Sequence, residues 1–367
     1  MQIYTHRLQQ LQQQLTEQQA VLLADPAALG YLTGFRILTT NEREGYLLIT
    51  RTSVMLFAAA FSPLPEYLEQ PILPQGMIVQ RTLQLLAIAS HLFQSQIEQL
   101  FLDENFLTIT ELYTLQKHLI QVGAKTTLAA FDSQPLWNLR IQKDAQEVML
   151  MKQAGQVVKT ALDEVLSRLT IGQTEQDIAS ALEYRFRQLG AEGPAFPTIV
   201  AFDNHASLPH YQPGKTALAP EMAVLIDCGA CVEGYNSDIT RTVWFGKATS
   251  DQFKQLQQVV DAAYLKGRDF LNKMIQTHHP ILARDLDEEV RSFIEQAGFG
   301  QQYIHTTGHG IGWEVHEPPS LYRTNSMQLQ EQMVITIEPG IYLPGELGYR
   351  HEDTFLITSQ GLEVLTQ

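Results

Sequence analysis

The sequence predicts two folded units of different architecture: an α/β domain over residues 1–135 and an α+β domain over 136–367 with helices covering an antiparallel sheet. Three observations lead there. At 367 residues the chain exceeds the size at which one hydrophobic core stops growing. Strand-like apolar runs alternate with helical patterns in the first third, whereas helices and strands come in blocks afterwards. The texture changes near Leu139, just after Pro135-Leu136-Trp137, which reads as a linker.

Leu8, Leu11 and Leu15 recur at helical spacing among glutamines and predict an amphipathic first helix. Val21-Leu22-Leu23-Ala24-Asp25, Tyr31-Leu32-Thr33-Gly34-Phe35 and the runs 45–50 and 53–58 read as strands. A helix over 83–93, a strand at Leu100-Phe101-Leu102 and a helix over 108–122 follow. A long helical pattern opens at Arg140 and runs toward Leu169. The next helix spans 174–189, with Thr174 as N-cap and Asp177 three residues on in a capping-box arrangement. Helices over 251–274 and 285–297 and strands over 197–202, 222–230, 237–245, 333–342 and 349–358 complete the second domain.

Composition is that of a globular protein, 44% hydrophobic and 18% charged, and no apolar run approaches the roughly 20 residues that cross a bilayer. The polar, glutamine-rich start lacks the apolar stretch of a secretory signal, so a cytoplasmic location is the expectation. A net charge of −15 without any Lys/Arg cluster argues against a surface that tracks nucleic-acid phosphates. The excess acid fits either a solvated surface or carboxylates that take up cations, and composition leaves both open. Cys228 and Cys231 are the only cysteines; with no second pair and an apolar strand before them, both read as buried and structural.

Chemistry concentrates in His305-Thr306-Thr307-Gly308-His309-Gly310-Ile311-Gly312-Trp313-Glu314-Val315-His316-Glu317, where glycines disfavour helix and let backbone come close to whatever the imidazoles face. Asp227 and Asp238 lie on successive predicted strands joined by the turn-rich Glu233-Gly234-Tyr235-Asn236, so an antiparallel pair can bring both to one face. Asp227 ends an apolar run, where an unpaired carboxylate is costly, and therefore needs a cation or dense hydrogen bonding. Glu338 after Val334-Ile335-Thr336-Ile337 and Glu352 before Thr354-Phe355-Leu356-Ile357 repeat the pattern. Four acids in apolar strands, with His309, form a mixed oxygen and nitrogen set that can hold two divalent ions through bridging carboxylates.

In order and context, Asp227 in Leu225-Ile226-Asp227-Cys228-Gly229, Asp238 in Ser237-Asp238-Ile239-Thr240-Arg241-Thr242, His309 in Gly308-His309-Gly310-Ile311-Gly312, Glu338 in Ile337-Glu338-Pro339-Gly340 and Glu352 in Arg350-His351-Glu352-Asp353-Thr354 are laid out as one ligand series. The series resembles the five metal ligands of the pita-bread metallopeptidases, which include Xaa-Pro aminopeptidases, prolidases, methionine aminopeptidases and creatinase. Leu208-Pro209-His210-Tyr211, His305, Glu314-Val315-His316-Glu317-Pro318-Pro319, Tyr342 and Arg350 resemble the proline-peptidase branch. Tyr31-Leu32-Thr33-Gly34-Phe35 and the Arg140 to Glu147 junction resemble a creatinase-type N-terminal domain, so the resemblance covers nearly the whole chain.

The resemblance implies a creatinase-type domain over 1–135, a pita-bread catalytic domain over 136–367, and hydrolysis of the Xaa-Pro bond at the N-terminus of peptides or in dipeptides. That bond is a tertiary amide without N–H and calls for a dedicated pocket. The attacking hydroxide would be activated by two divalent metal ions, Mn²⁺ foremost, with Zn²⁺ or Co²⁺ able to occupy the site. By the same resemblance Asp227 chelates the first metal, Asp238 and Glu352 bridge, and His309 with Glu338 complete the second. Glu338 also accepts and donates the proton, while His210 and His316 hydrogen-bond the carbonyl oxygen and move a proton to the leaving proline nitrogen. His305 and Tyr342 shape the substrate pocket, and Arg350 either orients a ligand carboxylate or meets a substrate terminus. Trp313 stands where this loop more often has Leu and is expected to change the pocket's width. The implied partners are a peptide with proline at its second position and a second copy of the chain in a homodimer, with no nucleic acid and no membrane. Two alternatives are a creatinase-like amidinohydrolase, disfavoured by the intact ligand set, and a non-catalytic peptide-binding relative, disfavoured because such relatives lose ligands.

Overall fold

The computed structural model describes residues 2–37, 42–69 and 77–367. Contacts divide the chain into two compact units, Met1–Leu139 and Arg140–Gln367.

The first unit runs α1 (Gln2–Gln12), β1 (Gln19–Leu23), α2 (Pro26–Thr33), β2 (Gly45–Thr50), β3 (Val54–Ala58), β4 (Ile78–Gln80), α3 (Leu85–Gln94), β5 (Gln99–Leu102), α4 (Ile109–Gln121), β6 (Thr127–Ala130) and α5 (Gln134–Ile141), the last crossing the unit boundary. Its strands form one six-stranded sheet in the order β4-β3-β2-β1-β5-β6. The β1–β2 and β2–β3 pairs are antiparallel and the other three parallel, a mixed α/β sheet. Leu22, Leu48, Phe57 and Leu100 of the sheet share a core with Ile88 and Leu92 of α3 and Leu115 of α4.

Two expectations fail here for local reasons. Residues 31–35, read as a strand, lie mostly in α2. The Asp25 side chain accepts from the Ala27 and Ala28 N–H groups, Pro26 opens the helix, and Gly34 closes it at φ 62°. Caps at both ends override an apolar run that is buried on all sides and therefore shows no helical period. Pro135-Leu136-Trp137, read as a linker, opens α5, because proline is tolerated in a helix's first turn.

The second unit continues with α6 (Ala145–Leu166), α7 (Glu175–Gln188), β7 (Gly193–Pro194), β8 (Ile199–Phe202), β9 (Met222–Cys228), β10 (Ala230–Val232), β11 (Tyr235–Asn236), β12 (Ile239–Phe245), α8 (Asp251–Gln276), β13 (Ile281–Leu282) and α9 (Ala283–Gln296). After these come β14 (Gly308–Gly310), β15 (Glu317–Leu321), β16 (Gln328–Leu329), β17 (Val334–Ile337), β18 (Gly340–Leu343), β19 (Leu347–Arg350), β20 (Asp353–Thr358) and β21 (Gly361–Val364). Among the described residues every strand pairing in this unit is antiparallel. Its sheets of three or more strands are β11-β10-β7, β12-β9-β8 and the five-stranded β15-β14-β17-β20-β21. A lone bridge between Thr240 and Glu352 links β12 to the chain entering β20.

Capping boxes start α6 at Asp144/Glu147 and α7 at Thr174/Asp177. The long helix thus begins at Ala145 rather than Arg140. Met151, Ala154, Val158 and Leu162 of α6 and Ile178, Leu182 and Phe186 of α7 pack on Val224 and Ile226 of β9. Helix α8 lies along β19 and β21, and α9 along β15. Cys228 is buried, but Cys231 is half-buried, its Sγ 3.7 Å from Glu192 Oε2. Gly229 separates β9 from β10 and resets the alternation, so Cys231 faces out between buried Ala230 and Val232.

The predicted strands 333–342 and 349–358 are each interrupted. Pro339 lacks the N–H that would extend β17, and β18 starts afresh at Gly340. Likewise β19 ends at Arg350 and β20 begins at Asp353. These two breaks place Glu338 just past the end of β17 and Glu352 just before the start of β20.

Candidate active site

Strand register brings the acids to one level. Thr240 on β12 pairs with Asp227 on β9, and Asp238 immediately precedes β12. Thr240 also bridges to Glu352, and Ile337 pairs with Asp353, so Glu338 and Glu352 leave their sheet at the same end. His309 lies on β14, the neighbour of β17. The flanking glycines are required by space: a Cβ on Gly308 would stand 2.1 Å from the Thr336 oxygen, and one on Gly310 2.2 Å from the Pro318 oxygen. No side chain fits there, so the histidine loop is a crowded strand rather than an open turn.

The imidazole of His309 donates from Nδ1 to the Gly310 carbonyl at 3.0 Å. A carbonyl only accepts, which assigns the proton to Nδ1 and leaves Nε2 as a lone pair. That nitrogen lies 3.5 Å from Glu338 Oε1 and 3.8 Å from Asp238 Oδ2. Asp238, His309 and Glu352 offer donor atoms that all lie within 4.8 Å of one another. All five predicted ligands, Asp227, Asp238, His309, Glu338 and Glu352, line one cavity of about 970 Å³.

Whether these residues fit metal ions can be judged from their unused atoms. Asp227 Oδ1, Asp238 Oδ1 and Glu352 Oε1 are buried without a hydrogen-bond partner among the described residues. Burial, reinforced by the neighbouring carboxylates, holds Asp238 and Glu352 well above the usual carboxylate range. Burial likewise pushes Glu338 up to about 8 against the opposing charge of Arg350. Such a group of acids cannot ionise together without cations, and lone carboxylate oxygens are what hard divalent ions bind. The donor set fits, as the metallopeptidase resemblance requires.

Arg350 braces the cluster from behind. Its Nη2 donates to Asp227 Oδ2, Nη1 to the Tyr342 hydroxyl at 2.7 Å and Nε to Thr240 Oγ1 at 3.1 Å. Thr240 Oγ1 in turn donates to Glu352 Oε2 at 2.6 Å. Tyr342 is 2% exposed and sits behind the cavity wall, bonded also to His305 Nε2 at 3.0 Å. His305 itself lines the cavity, its Nδ1 donating to the Thr306 carbonyl at 2.7 Å. Burial, then the charge of Arg350, lowers its pKa to about 3. His210 and His316 are exposed on the cavity wall, and the His316 ring meets His309 edge-on at 4.4 Å between centroids. Phe196, Pro197, Ile199, Val315 and Pro318 supply an apolar wall.

Two participants escape the sequence reading of the site. Thr240 lies inside a recognised motif, but only the Glu352 bridge shows that its hydroxyl links Arg350 to a carboxylate. Glu317 follows His316 and is 4% exposed, accepting from Arg140 Nη2 at 2.5 Å, Lys143 Nζ at 3.0 Å and the Glu314 N–H at 3.0 Å. Burial alone would raise its carboxyl; the charges of Lys143 and Arg140 outweigh that and hold it at about 2. Partners some 174 and 177 positions away leave no local signal. Trp313, expected to change the pocket's width, is not on the cavity wall. Its ring stands over Gly234, where a Cβ would meet it at 2.8 Å, and edge-on to Tyr235 at 5.3 Å.

Comparison with known proteins adds the following. The family model "Metallopeptidase family M24" matches residues 149–359, and "Creatinase/Prolidase N-terminal domain" matches 7–142. The Xaa-Pro dipeptidase of Pyrococcus furiosus is 36% identical over 231 residues, 63% of this chain and 64% of that protein, so the match spans less than two thirds of its length. The solved Xaa-Pro dipeptidase from Bacillus anthracis superposes with a TM-score of 0.86 at 28% identity, covering 99% of this chain and 98% of that one. The X-Pro aminopeptidase from Thermotoga maritima gives a TM-score of 0.82 at 28% identity, covering 97% of each chain.

Proposed function

The chain belongs to metallopeptidase family M24, and from that premise we propose that it hydrolyses the Xaa-Pro bond, at the N-terminus of peptides or in dipeptides, using two divalent metal ions. One observation carries this reading: five potential ligands line a single cavity, and three of their carboxylate oxygens are buried without a partner among the described residues.

Asp227 would hold the first ion, Asp238 and Glu352 would bridge, and His309 with Glu338 would complete the second. Carboxylate oxygens with one imidazole suit Mn²⁺, with Zn²⁺ and Co²⁺ as competitors for the site. Metal ions held by these residues would polarise the scissile carbonyl as Lewis acids and would make a water acidic enough to attack near neutral pH. Glu338 would take the water's proton and give it up again, and His210 and His316 would pass a proton on to the leaving proline nitrogen. His210 and His316, on the cavity wall, donate hydrogen bonds to the carbonyl oxygen as negative charge develops on it. Arg350 acts through Asp227, orienting that carboxylate; Tyr342 and Thr240 hold its guanidinium in plane. His305 limits the substrate pocket, and the wall of Phe196, Pro197 and Ile199 meets a pyrrolidine ring that has no N–H to satisfy.

Residues 136–367 carry the chemistry in this proposal, with 1–135 as the creatinase-type domain, in a cytoplasmic homodimer. Among the described residues no helix is long and apolar enough to cross a membrane. The test is hydrolysis of Xaa-Pro dipeptides and Xaa-Pro-Xaa tripeptides by purified protein stripped of metal and reloaded with Mn²⁺, Zn²⁺ or Co²⁺. Metal-dependent release of the N-terminal residue from one class, and none from an Ala-Ala control, is expected. Release from neither class under any metal refutes the proposal.

A further inference from the structure

The connection between β8 and β9 carries His210 and Tyr211, both on the cavity wall. A carboxylate from outside the loop holds it. Glu175, the first residue of α7, is 0% exposed, and its Oε1 accepts from the Phe202 N–H at 2.9 Å and from His205 Nδ1 at 2.8 Å. Its Oε2 accepts from the Tyr211 hydroxyl and the Gly214 N–H, each at 2.9 Å. One side chain thus fastens both ends of the segment 202–214 and two side chains within it. His205 stacks on Tyr211 with centroids 4.5 Å apart, joining two of the donors to each other. The helix N-terminus behind Glu175 favours the negative charge, and charge-assisted bonds of this kind are the stronger ones.

We propose that Glu175 is a positioning residue for the reaction: it fixes the 202–214 loop so that His210 stands at the reacting carbonyl. The inference rests on the role given to His210 above. Glu175→Gln keeps shape but turns one oxygen into an NH₂ group. Because a backbone N–H faces each oxygen, either amide orientation sets donor against donor.

The experiment is a double-mutant cycle on the metal-loaded full chain with one Xaa-Pro substrate, combining Glu175→Gln with His210→Ala. Glu175→Gln should lower kcat about 10- to 100-fold in the wild-type background and by less than about 3-fold once His210 is gone. Hydrogen exchange at the Phe202 and Gly214 amides should rise about 10-fold, with β17 and β20 unchanged. Additive losses in the cycle, or unchanged kcat and exchange, overturn the proposal. Near wild-type activity of His210→Ala sinks the His210 assignment and the catalytic half of this inference with it. Were no Xaa-Pro substrate cleaved at all, the activity reading would fall, and unchanged exchange would separately overturn the clamp. If Glu175→Gln does not fold, Tyr211→Phe removes a single bond of the clamp and should show a smaller loss, again abolished without His210.

Discussion

Replacing Glu317 by glutamine removes a negative charge that lies between Arg140 and Lys143, and all three side chains are 1% exposed. A buried ion pair that loses one partner strands the other charge, at a cost of about 3–5 kcal/mol. Arg140 keeps a second acid, Glu314 Oε2 at 2.7 Å, which places the expected loss at the lower end. Proton linkage gives a separate figure. The carboxyl is held at about 2 against an ordinary 4.5, since Lys143 and Arg140 outweigh the effect of burial; at 1.36 kcal/mol per pH unit that is about 3 kcal/mol. The sign follows from a depressed carboxyl: the stabilisation is complete above the unfolded value and disappears as pH falls through the folded one. Glu317→Gln should therefore be about 3 kcal/mol less stable than wild type at pH 7. That gap should narrow steadily as the pH is lowered from about 4.5 toward 2. Urea denaturation of the metal-free full chain at several pH values, with calorimetry to assign the transition, measures it. A loss under about 1 kcal/mol at neutral pH, or a gap that does not change with acid, refutes the reasoning.

Other perturbations probe the proposed metal ligands. Asp238→Ala removes a proposed bridge and should abolish turnover and lower bound metal per chain; near wild-type turnover after Mn²⁺ loading would overturn the assignment. In chelated protein Glu338 keeps its proton up to about pH 8, above the unfolded value, so its stabilisation is lost as pH rises through 8. His305 and His309, lowered by burial to about 3 and about 4, work in the opposite sense, but only below the unfolded histidine value of 6.5. Between about pH 6.5 and 8, Tm of the metal-free chain should fall while that of the loaded chain holds, and titration calorimetry in two buffers should show proton release on Mn²⁺ binding; a flat metal-free profile contradicts this. Gly308→Ala drives a methyl against the Thr336 oxygen 2.1 Å away. It should cost about 1–3 kcal/mol in thermal denaturation and weaken Mn²⁺ binding through His309, and an unchanged Tm would show that β14 has room to move.

The acids could be picked out of the sequence because each ends or begins an apolar run, where physical chemistry demands a partner. Their convergence is set by pairing registers such as Thr240 with Asp227 and Ile337 with Asp353, which the alternation of apolar residues implies only loosely. Strand limits were harder to see. The runs 333–342 and 349–358 look continuous because Ile341, Tyr342 and Tyr349 are as apolar as a strand interior, yet strand interruptions at Pro339 and before Asp353 put Glu338 just past β17 and Glu352 just before β20. Residues 31–35 misled for the converse reason: a helix buried on every side carries no period, and only Asp25, Pro26 and Gly34 mark it.

What the sequence conceals most completely is the support behind the proposed ligands. Glu175 reads as an acid in the first turn of a helix and Glu317 as a neighbour of a histidine. Both are buried carboxylates whose donors come from 27 to 39 and from 174 to 177 positions away, apart from one local N–H to Glu317. Identical carboxyl chemistry thus serves opposite ends. Where fixed cations surround the acid, as Lys143 and Arg140 do at Glu317, its pKa falls and the group is a brace. Where other acids surround it, as at Asp238 and Glu352, its pKa rises and oxygens stay without partners, the condition that a divalent ion relieves. Burial is common to Glu317, Asp238 and Glu352, so between these three it is the sign of the neighbouring charge that separates the brace from the proposed ligands.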